Sequence, residues 1–411
     1  MQKLNEPTIT SVPGFRAAGV AAGIKPSGDR DLALISSAVP CAAAAVFTQN
    51  RFAAAPVLYD QRILSLNPAG IQSVIINSGC ANACTGDQGL ANAQRMAELV
   101  EQALGLSPHS CLVMSTGVIG VQLPMEKIER GIQEAALALS PLGGWDAARA
   151  ILTTDTRPKT AGVQVEIGGA TVTVAGMCKG AGMIHPNLAT MLALVCTDAV
   201  ITPAALDTAL RCAADVSFNA VTVDGDTSTN DTLIILANGL AGHDPIEDAS
   251  SPEFAVFAEA LTATCVDLAQ QIARDGEGAT KFVTITVIGA VNDGDARRAA
   301  KAIANSPLVK TALYGGDANW GRILCAVGNS GAEIDPMKTS LFFAAPRAGL
   351  SWLQVVAQGQ PLNYSELEAA TRFAQSEIEI LVDLGIGEGQ AVVWTCDLSH
   401  GYVDINGHYR T

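Results

Sequence analysis

Apolar and polar positions along the chain follow two periods. Residues 73–77 (SVIIN) are a short apolar run and read as a buried strand. In 88–104, Leu90, Ala93, Met96, Ala97, Val100 and Leu104 recur every three or four positions, which predicts one face of a helix. Pro124 predicts the first turn of another helix, with Met125, Ile128 and Ile132 as its apolar stripe. Val163, Val165 and Ile167 alternate with polar residues, Gly168-Gly169 turns the chain, and 171–174 returns, the pattern of a hairpin. The run 191–196 predicts a buried strand. Residues 203–214, 252–273, 295–304 and 365–373 read as helices, and 282–288, 379–382 and 391–395 as strands.

This alternation predicts an α/β or α+β fold with packed sheets, two classes the pattern alone does not separate. No repeat of fixed period and no low-complexity tract appears. The loop 275–279 (DGEGA) combines glycines, charge and a change from helix to strand. It divides the chain into an expected N-terminal lobe, 1–280, and a smaller C-terminal lobe, 281–411. At 411 residues the chain is long for one core, so two lobes suit its size.

Composition narrows the function. Hydrophobic residues make up 49% and charged residues 16%, enough to bury a large core. The net charge of −15 argues against a nucleic-acid partner, which would require a basic face. An anionic substrate would therefore need its own local lysine or arginine. Residues 1–7 carry Lys3 and Glu6 and no apolar core, unlike a secretory signal, and no stretch reads as a membrane helix. Ten cysteines without a dense, regular spacing suit a reducing cytoplasm.

The richest chemistry lies in 179–191, KGAGMIHPNLATM. Glycines, a proline and one lysine lead to Thr190, which opens the buried run. The ordinary reading is a strand threonine. The alternative is a self-cut after the small residue Ala189. A threonine at a new N-terminus carries its hydroxyl and, in its α-amine, its own base. Gly180 and Gly182 permit backbone conformations closed to other residues. Lys179 is a lysine in an apolar neighbourhood and needs a partner, for which a substrate carboxylate qualifies.

Other segments have plainer readings. In 114–120 (MSTGVIG) a strand ends in a small-polar turn, either an ordinary connection or one presenting N–H and hydroxyl donors to an oxyanion. Cys80 and Cys84 are poorly spaced for zinc, so NSGCANACTG (77–86) reads as small residues packing a tight loop. DGDTSTND (224–231) lacks the glycine and late glutamate of a calcium loop and reads as a hydrogen-bonded turn. GIGEG (385–389) lies between two strands and is a poor dinucleotide motif. No metal site is expected.

Taken together, NSGCANACTG, STGVIG (115–120), TTDT (153–156), KGAGMIHPNLATM, SFNAVTVDGDTSTNDT (217–232), DGEGATKF (275–282) and GDANWGRI (316–323) resemble the ornithine acetyltransferases of arginine biosynthesis, bifunctional with glutamate N-acetylation. The resemblance spans nearly the whole chain, and the segment through Thr190 is its most specific part. It implies a layered sandwich related to the DmpA-type peptidases, with sheets between helices. It implies cleavage between Ala189 and Thr190 into an α chain, 1–189, and a β chain, 190–411, assembled as α2β2. It implies Thr190 as nucleophile, an oxyanion hole at Thr116 and Gly117, and substrate contacts from Thr153, Lys179, Thr190, Glu277, Asn406 and Thr411. The substrates implied are N-acetylornithine and glutamate, with no cofactor; acetyl-CoA enters only as an alternative acetyl donor. By charge matching, Lys179 would meet a carboxylate and Glu277 the side-chain amine of ornithine. The rival enzyme reading is an N-terminal-threonine amidohydrolase or aminopeptidase, in which water resolves the ester. The non-enzyme rival is an uncleaved amino-acid-binding protein.

Overall fold

A computed structural model describes residues 1–185 and 191–408, and Pro186–Thr190 and the last three residues lie outside it. The fold is mixed α/β with two sheets flanked by helices. Contacts divide it into two units. The first comprises Met1–Asn219 with Asp226–Ile272; the second comprises Ala220–Gly225 with 273–408.

The first unit is built on strands β1 (Gln2–Lys3), β2 (Phe15–Val20), β3 (Leu32–Phe47), β4 (Ile71–Cys80), β5 (Cys111–Val118), β6 (Lys159–Ile167), β7 (Ala170–Lys179), β8 (Leu192–Thr197) and β9 (Thr232–Ala237). Their order is β1-β6-β7-β8-β9-β3-β4-β5, with β2 also on β3. β3 is the hinge of this order. Its first part pairs with β4 and its last part with β9, and the register shifts between Ser36 and Cys41. Pro40 lies in that interval and has no N–H to give to a ladder, which suits a strand changing partners there. β8 and β9 are buried at every position, so they read as unbroken apolar runs. The hairpin turn falls at Gly168 and Gly169, with φ of +58° and +80°.

Helices α1 (Ala55–Leu66), α2 (Gly86–Leu104), α3 (Met125–Ala138), α4 (Gly144–Ala150) and α5 (Pro203–Asp215) belong to this unit, as does most of α6 (Pro252–Arg274). Ala93, Met96, Ala97 and Val100 of α2 are buried at helical spacing, whereas Leu90 is 37% exposed and lies off the stripe. The helix stops at Gly105, whose φ of +65° is a left-handed cap. Pro124 is the N-cap of α3 rather than part of its first turn.

The second unit carries β10 (Phe282–Ala290), β11 (Ser340–Ala345), β12 (Leu350–Ala357), β13 (Gln360–Pro361), β14 (Glu377–Asp383) and β15 (Gly389–Cys396), ordered β13-β12-β11-β14-β10-β15. Helices α7 (Asp293–Asn305), α8 (Pro307–Gly315), α9 (Trp320–Gly328), α10 (Glu366–Phe373) and α11 (His400–His408) complete it. α7 buries Ala296, Ala299, Ala300 and Ile303 in the same core as Ile285 and Ile380. Phe343 and Phe373 meet edge to face at 4.7 Å in that core.

β5 departs from the sequence expectation. Its strand does not end at Met114 but continues through Val118, because the parallel ladder with β4 runs on through Ser78↔Thr116 and Gly79↔Gly117. No helix among the described residues is long and apolar enough to cross a membrane.

β5 is also held from α1. The Val113 N–H donates to Asp60 Oδ1 at 2.8 Å, while the buried Oδ2 has no partner among the described residues. Burial drives this carboxyl well above its ordinary range, and the Val113 bond offsets only part of that. The folded chain therefore keeps a proton that the unfolded chain loses near a pKa of about 3.9. Stability should decline as pH rises from there towards the folded-state pKa. Asp60→Asn keeps an acceptor for Val113 and should flatten that decline, as read from urea midpoints between about pH 5 and 8. Parallel pH curves for the two proteins would show that Asp60 is ionised in the fold.

Candidate functional site

Thr190, its neighbour Ala189 and the C-terminal Thr411 lie outside the described residues, so the site is built from what surrounds them. In the first unit, Thr116 and Gly117 lie on the last turn of the β4–β5 ladder. Thr116 is buried, and Gly117 has φ +130° opposite Gly79 at +101°. A β-carbon on Gly117 would lie 2.3 Å from the Gly79 carbonyl carbon and 2.5 Å from Cys80 N. Only glycine fits that approach.

Four polar side chains fix this corner. Ser115 Oγ donates to Asn77 Oδ1 at 2.6 Å, and Asn77 Nδ2 donates to the Cys80 carbonyl at 2.8 Å. Ser78 Oγ donates to the Ala150 carbonyl at 2.6 Å. Asn230 Nδ2 donates to two carbonyls, Ala81 at 2.6 Å and Ser115 at 2.8 Å, while its Oδ1 accepts from Thr229 Oγ1. The segment 224–231 does make the turn bonds its sequence suggests, such as Asn230 N–H to Ser228 Oγ at 3.2 Å. Its larger role is a clamp on the two glycine turns, which sequence reasoning missed. The signal was available: an asparagine just before a buried strand has more donors than a local turn uses.

Lys179 ends β7 and pairs with Leu192 at the start of β8. Its surroundings revise the image of a lysine among apolar groups. Lys179 influences three charged groups: Asp155, Asp231 and Lys25. The Asp155 side chain is fully buried. It accepts from Lys159 Nζ at 2.5 Å, Gly180 N–H at 2.7 Å and Thr153 N–H at 3.1 Å. Burial alone would raise its pKa. The ammonium groups of Lys159 and Lys179 and the Gly180 N–H outweigh burial and hold the carboxyl below its usual range. One carboxylate thus joins Thr153, in TTDT, to the first residue of the loop that leads to Thr190.

Asp231 behaves oppositely. It is buried, and its Oδ2 accepts no hydrogen bond from the described residues. Burial pushes its carboxyl well above the ordinary range, against the pull of Lys179, Ser228 and Thr48. The next residue, Thr232, donates its N–H to the Met191 carbonyl at 2.9 Å. Two carboxyls near one lysine are driven apart in pKa, an arrangement common at working sites. Neither aspartate stood out in the sequence.

Thr153 also lines a cavity of about 500 Å³ with Lys25, Arg30, Asp146, Arg149 and Asp155.

In the second unit, Glu277 is buried and its Oε2 accepts from Asn406 Nδ2 at 2.6 Å, so the structure brings these two expected site residues together. The loop around Glu277 is fixed from both sides. Ser399 Oγ donates to the Gly278 carbonyl at 2.5 Å, and Asp397 accepts the N–H groups of Thr280 and Lys281 at 2.8 and 2.9 Å. Gly278, at φ +68°, lies where a β-carbon would come 2.4 Å from Tyr402 N. No group of three or more His, Cys, Asp or Glu among the described residues is placed to hold a metal.

The Asn230 clamp is testable. Asn230→Ala leaves two buried carbonyls without their donor and should cost about 1–3 kcal/mol of stability. Asn230→Asp turns a donor into a charged acceptor facing those carbonyls and should do no better. Chemical denaturation measures both, and a midpoint unchanged in the alanine variant would remove the clamp from the account.

Comparison with known proteins places this geometry. The ArgJ family model matches residues 16–411. The arginine biosynthesis bifunctional protein ArgJ of Symbiobacterium thermophilum is 52% identical over 405 residues, covering 98% of each chain. The mitochondrial protein of the same name from Yarrowia lipolytica is 50% identical over 405 residues, 97% of this chain and 94% of its own. Among solved structures, argJ from Bacillus halodurans is 44% identical over 52% of this chain and 96% of that one, with a TM-score of 0.48. The chain belongs to the ArgJ family, an acetyltransferase family of arginine biosynthesis.

Proposed function

We propose that the chain cleaves itself between Ala189 and Thr190 and then carries the acetyl group of N2-acetylornithine to glutamate through an acetyl-Thr190 ester. The observation that carries this is the glycine-backed corner of Thr116 and Gly117, together with the backbone groups held at Gly180 and Met191, which flank the segment in sequence. Upstream, the Gly180 N–H is held by the buried Asp155; downstream, the Met191 carbonyl is held by the Thr232 N–H.

Thr190 Oγ attacks the acetyl carbonyl, and its proton passes to the α-amine. With a reference pKa of about 7.7–8.0, that amine takes and returns protons near neutral pH. Thr116 and Gly117, on their glycine-backed corner, donate to the developing oxyanion. The acetyl C–N bond breaks, the proton moves to the departing amine, and ornithine leaves. The neutral amine of glutamate then attacks the ester, and Thr190 Oγ recovers a proton. This divides the transfer into two steps at one nucleophile. Lys179 serves the substrate α-carboxylate, Thr153 is a further substrate contact, and Glu277, bonded to Asn406, serves the cationic end of ornithine. Thr411 is a further substrate contact by resemblance. Acetyl-CoA is an alternative acetyl donor for glutamate. The active form in this reading is α2β2, in the cytoplasm.

Thr190→Ala should give one intact chain on a denaturing gel and no acetylglutamate from N-acetylornithine plus glutamate. Two fragments with a new N-terminus at residue 190 would place the nucleophile for cleavage elsewhere. The same assay without glutamate separates transfer from hydrolysis, because a water-resolved ester releases acetate steadily, as an amidohydrolase would. Glu277→Gln keeps the size and the bond to Asn406 but removes the charge. It should cost about 1–3 kcal/mol in kcat/KM for N-acetylornithine and much less with a neutral acetyl donor. Equal losses with both donors would assign Glu277 to the fold.

A further inference from the structure

The acceptor and the donor of this reaction differ in one end. Both carry an α-carboxylate, but N-acetylornithine ends in an ammonium and glutamate in a second carboxylate. A site that takes both in turn needs a cation for that second carboxylate, beyond the one serving the α-carboxylate.

Lys25 has the placement for it. Its stem lies against the oxyanion corner: a β-carbon on Gly79 would come 3.3 Å from Lys25 Cγ, and Gly79 is the ladder partner of Gly117. Lys25 also lines the cavity that Thr153 lines. Its backbone is fixed, because the buried Asp31 accepts the N–H groups of Ala22 at 2.7 Å, Ile24 at 2.5 Å and Lys25 at 2.9 Å. The ammonium donates one hydrogen bond to the Arg30 carbonyl at 2.9 Å, and an ammonium has three to give.

Of the cavity's three carboxylates, Asp29, Asp146 and Asp155, the last two are paired with other cations. Asp155 is buried against Lys159, and Asp146 faces both Arg30 at 3.0 Å and Arg149 at 3.5 Å. The charged lining is balanced, Lys25, Arg30 and Arg149 against Asp29, Asp146 and Asp155, and the two arginines are taken up by Asp146. Partial burial lowers the pKa of Lys25 below the ordinary lysine value and repulsion from Lys179 adds to that, against the pull of Asp31, Asp29 and Asp155. A partly desolvated ammonium gains from an incoming anion.

We propose that Lys25 sets acceptor specificity by pairing with the side-chain carboxylate of a dicarboxylic amino acid, leaving Lys179 to the α-carboxylate. This rests on the acetyl-transfer reading above. Neutral acceptors of the same shape, glutamine above all, then lose that pairing.

The test compares glutamate with glutamine as acceptors, using N-acetylornithine as donor and the self-cleaved protein. In Lys25→Met, KM for glutamate should rise, and the glutamate-to-glutamine ratio of kcat/KM should fall by about tenfold or more. Lys25→Arg should keep most of the preference, because it keeps the charge. Thermal unfolding of both variants checks the fold. A ratio unchanged in Lys25→Met, or lost equally in Lys25→Arg, overturns the proposal. Ornithine release by the wild-type protein in the absence of acceptor is measured alongside. Its absence overturns the acetyl-enzyme reading and this inference with it. Its presence with an unchanged ratio overturns the inference alone.

Discussion

The buried carboxylate of Asp155 is the interaction on which the site depends. It takes an ammonium from Lys159 and backbone N–H groups from Thr153 and Gly180. Lys159 opens β6, Thr153 precedes it, and Gly180 follows β7, so one side chain ties the start of the hairpin to its end. An ion pair out of water is stable only when further hydrogen bonds satisfy it, and Asp155 meets that condition with two N–H donors. Removing one partner of such a pair typically costs about 3–5 kcal/mol, because the other charge is left buried. The loop that leads to residue 190 therefore departs from a rigid base.

Lys179 extends that electrostatic frame. Asp155, its charge compensated, stays ionised; Asp231, with a carboxyl oxygen unpartnered among the described residues, is pushed towards the protonated form. Lys25 lies within reach of the same field. A strongly acidic protein thereby sets cations among its carboxylates around Thr153, with Lys25, Arg30 and Arg149 lining the cavity beside Asp29, Asp146 and Asp155. Burial sets the direction at Asp231 and Lys25, whereas at Asp155 the neighbouring charges, which count for more out of water, outweigh it.

Backbone approach does the remaining work. Gly79 meets Gly117 and Gly278 meets Tyr402 at distances no β-carbon allows. Around them, polar side chains act as donors: Asn230 across to two carbonyls, Asn77 to Cys80, Ser399 to Gly278. These bonds fix the backbone at each of the two approaches, and in the proposed reading the fixity at Gly117 is what an oxyanion donor requires.

Much of the fold could be read from the chain. The stripe of α2, the hairpin at Gly168-Gly169, the buried run of β8 and the strand β10 follow from periodicity and turn chemistry, which are local properties. Glu277 and Asn406, which the resemblance names singly, are joined by a hydrogen bond in the structure. Tertiary structure alone decided the rest. β5 runs past Met114 because its partner β4 lies more than thirty positions away in sequence. Asn230 became a clamp, and Lys25, Asp155 and Asp231 became neighbours of Lys179, only once strands far apart in sequence paired. The sequence determines which residues can form strands, turns and nucleophiles, because those preferences are carried within a few residues. Which charges are buried together depends on long-range pairing and desolvation, and neither is written in any local stretch of chain.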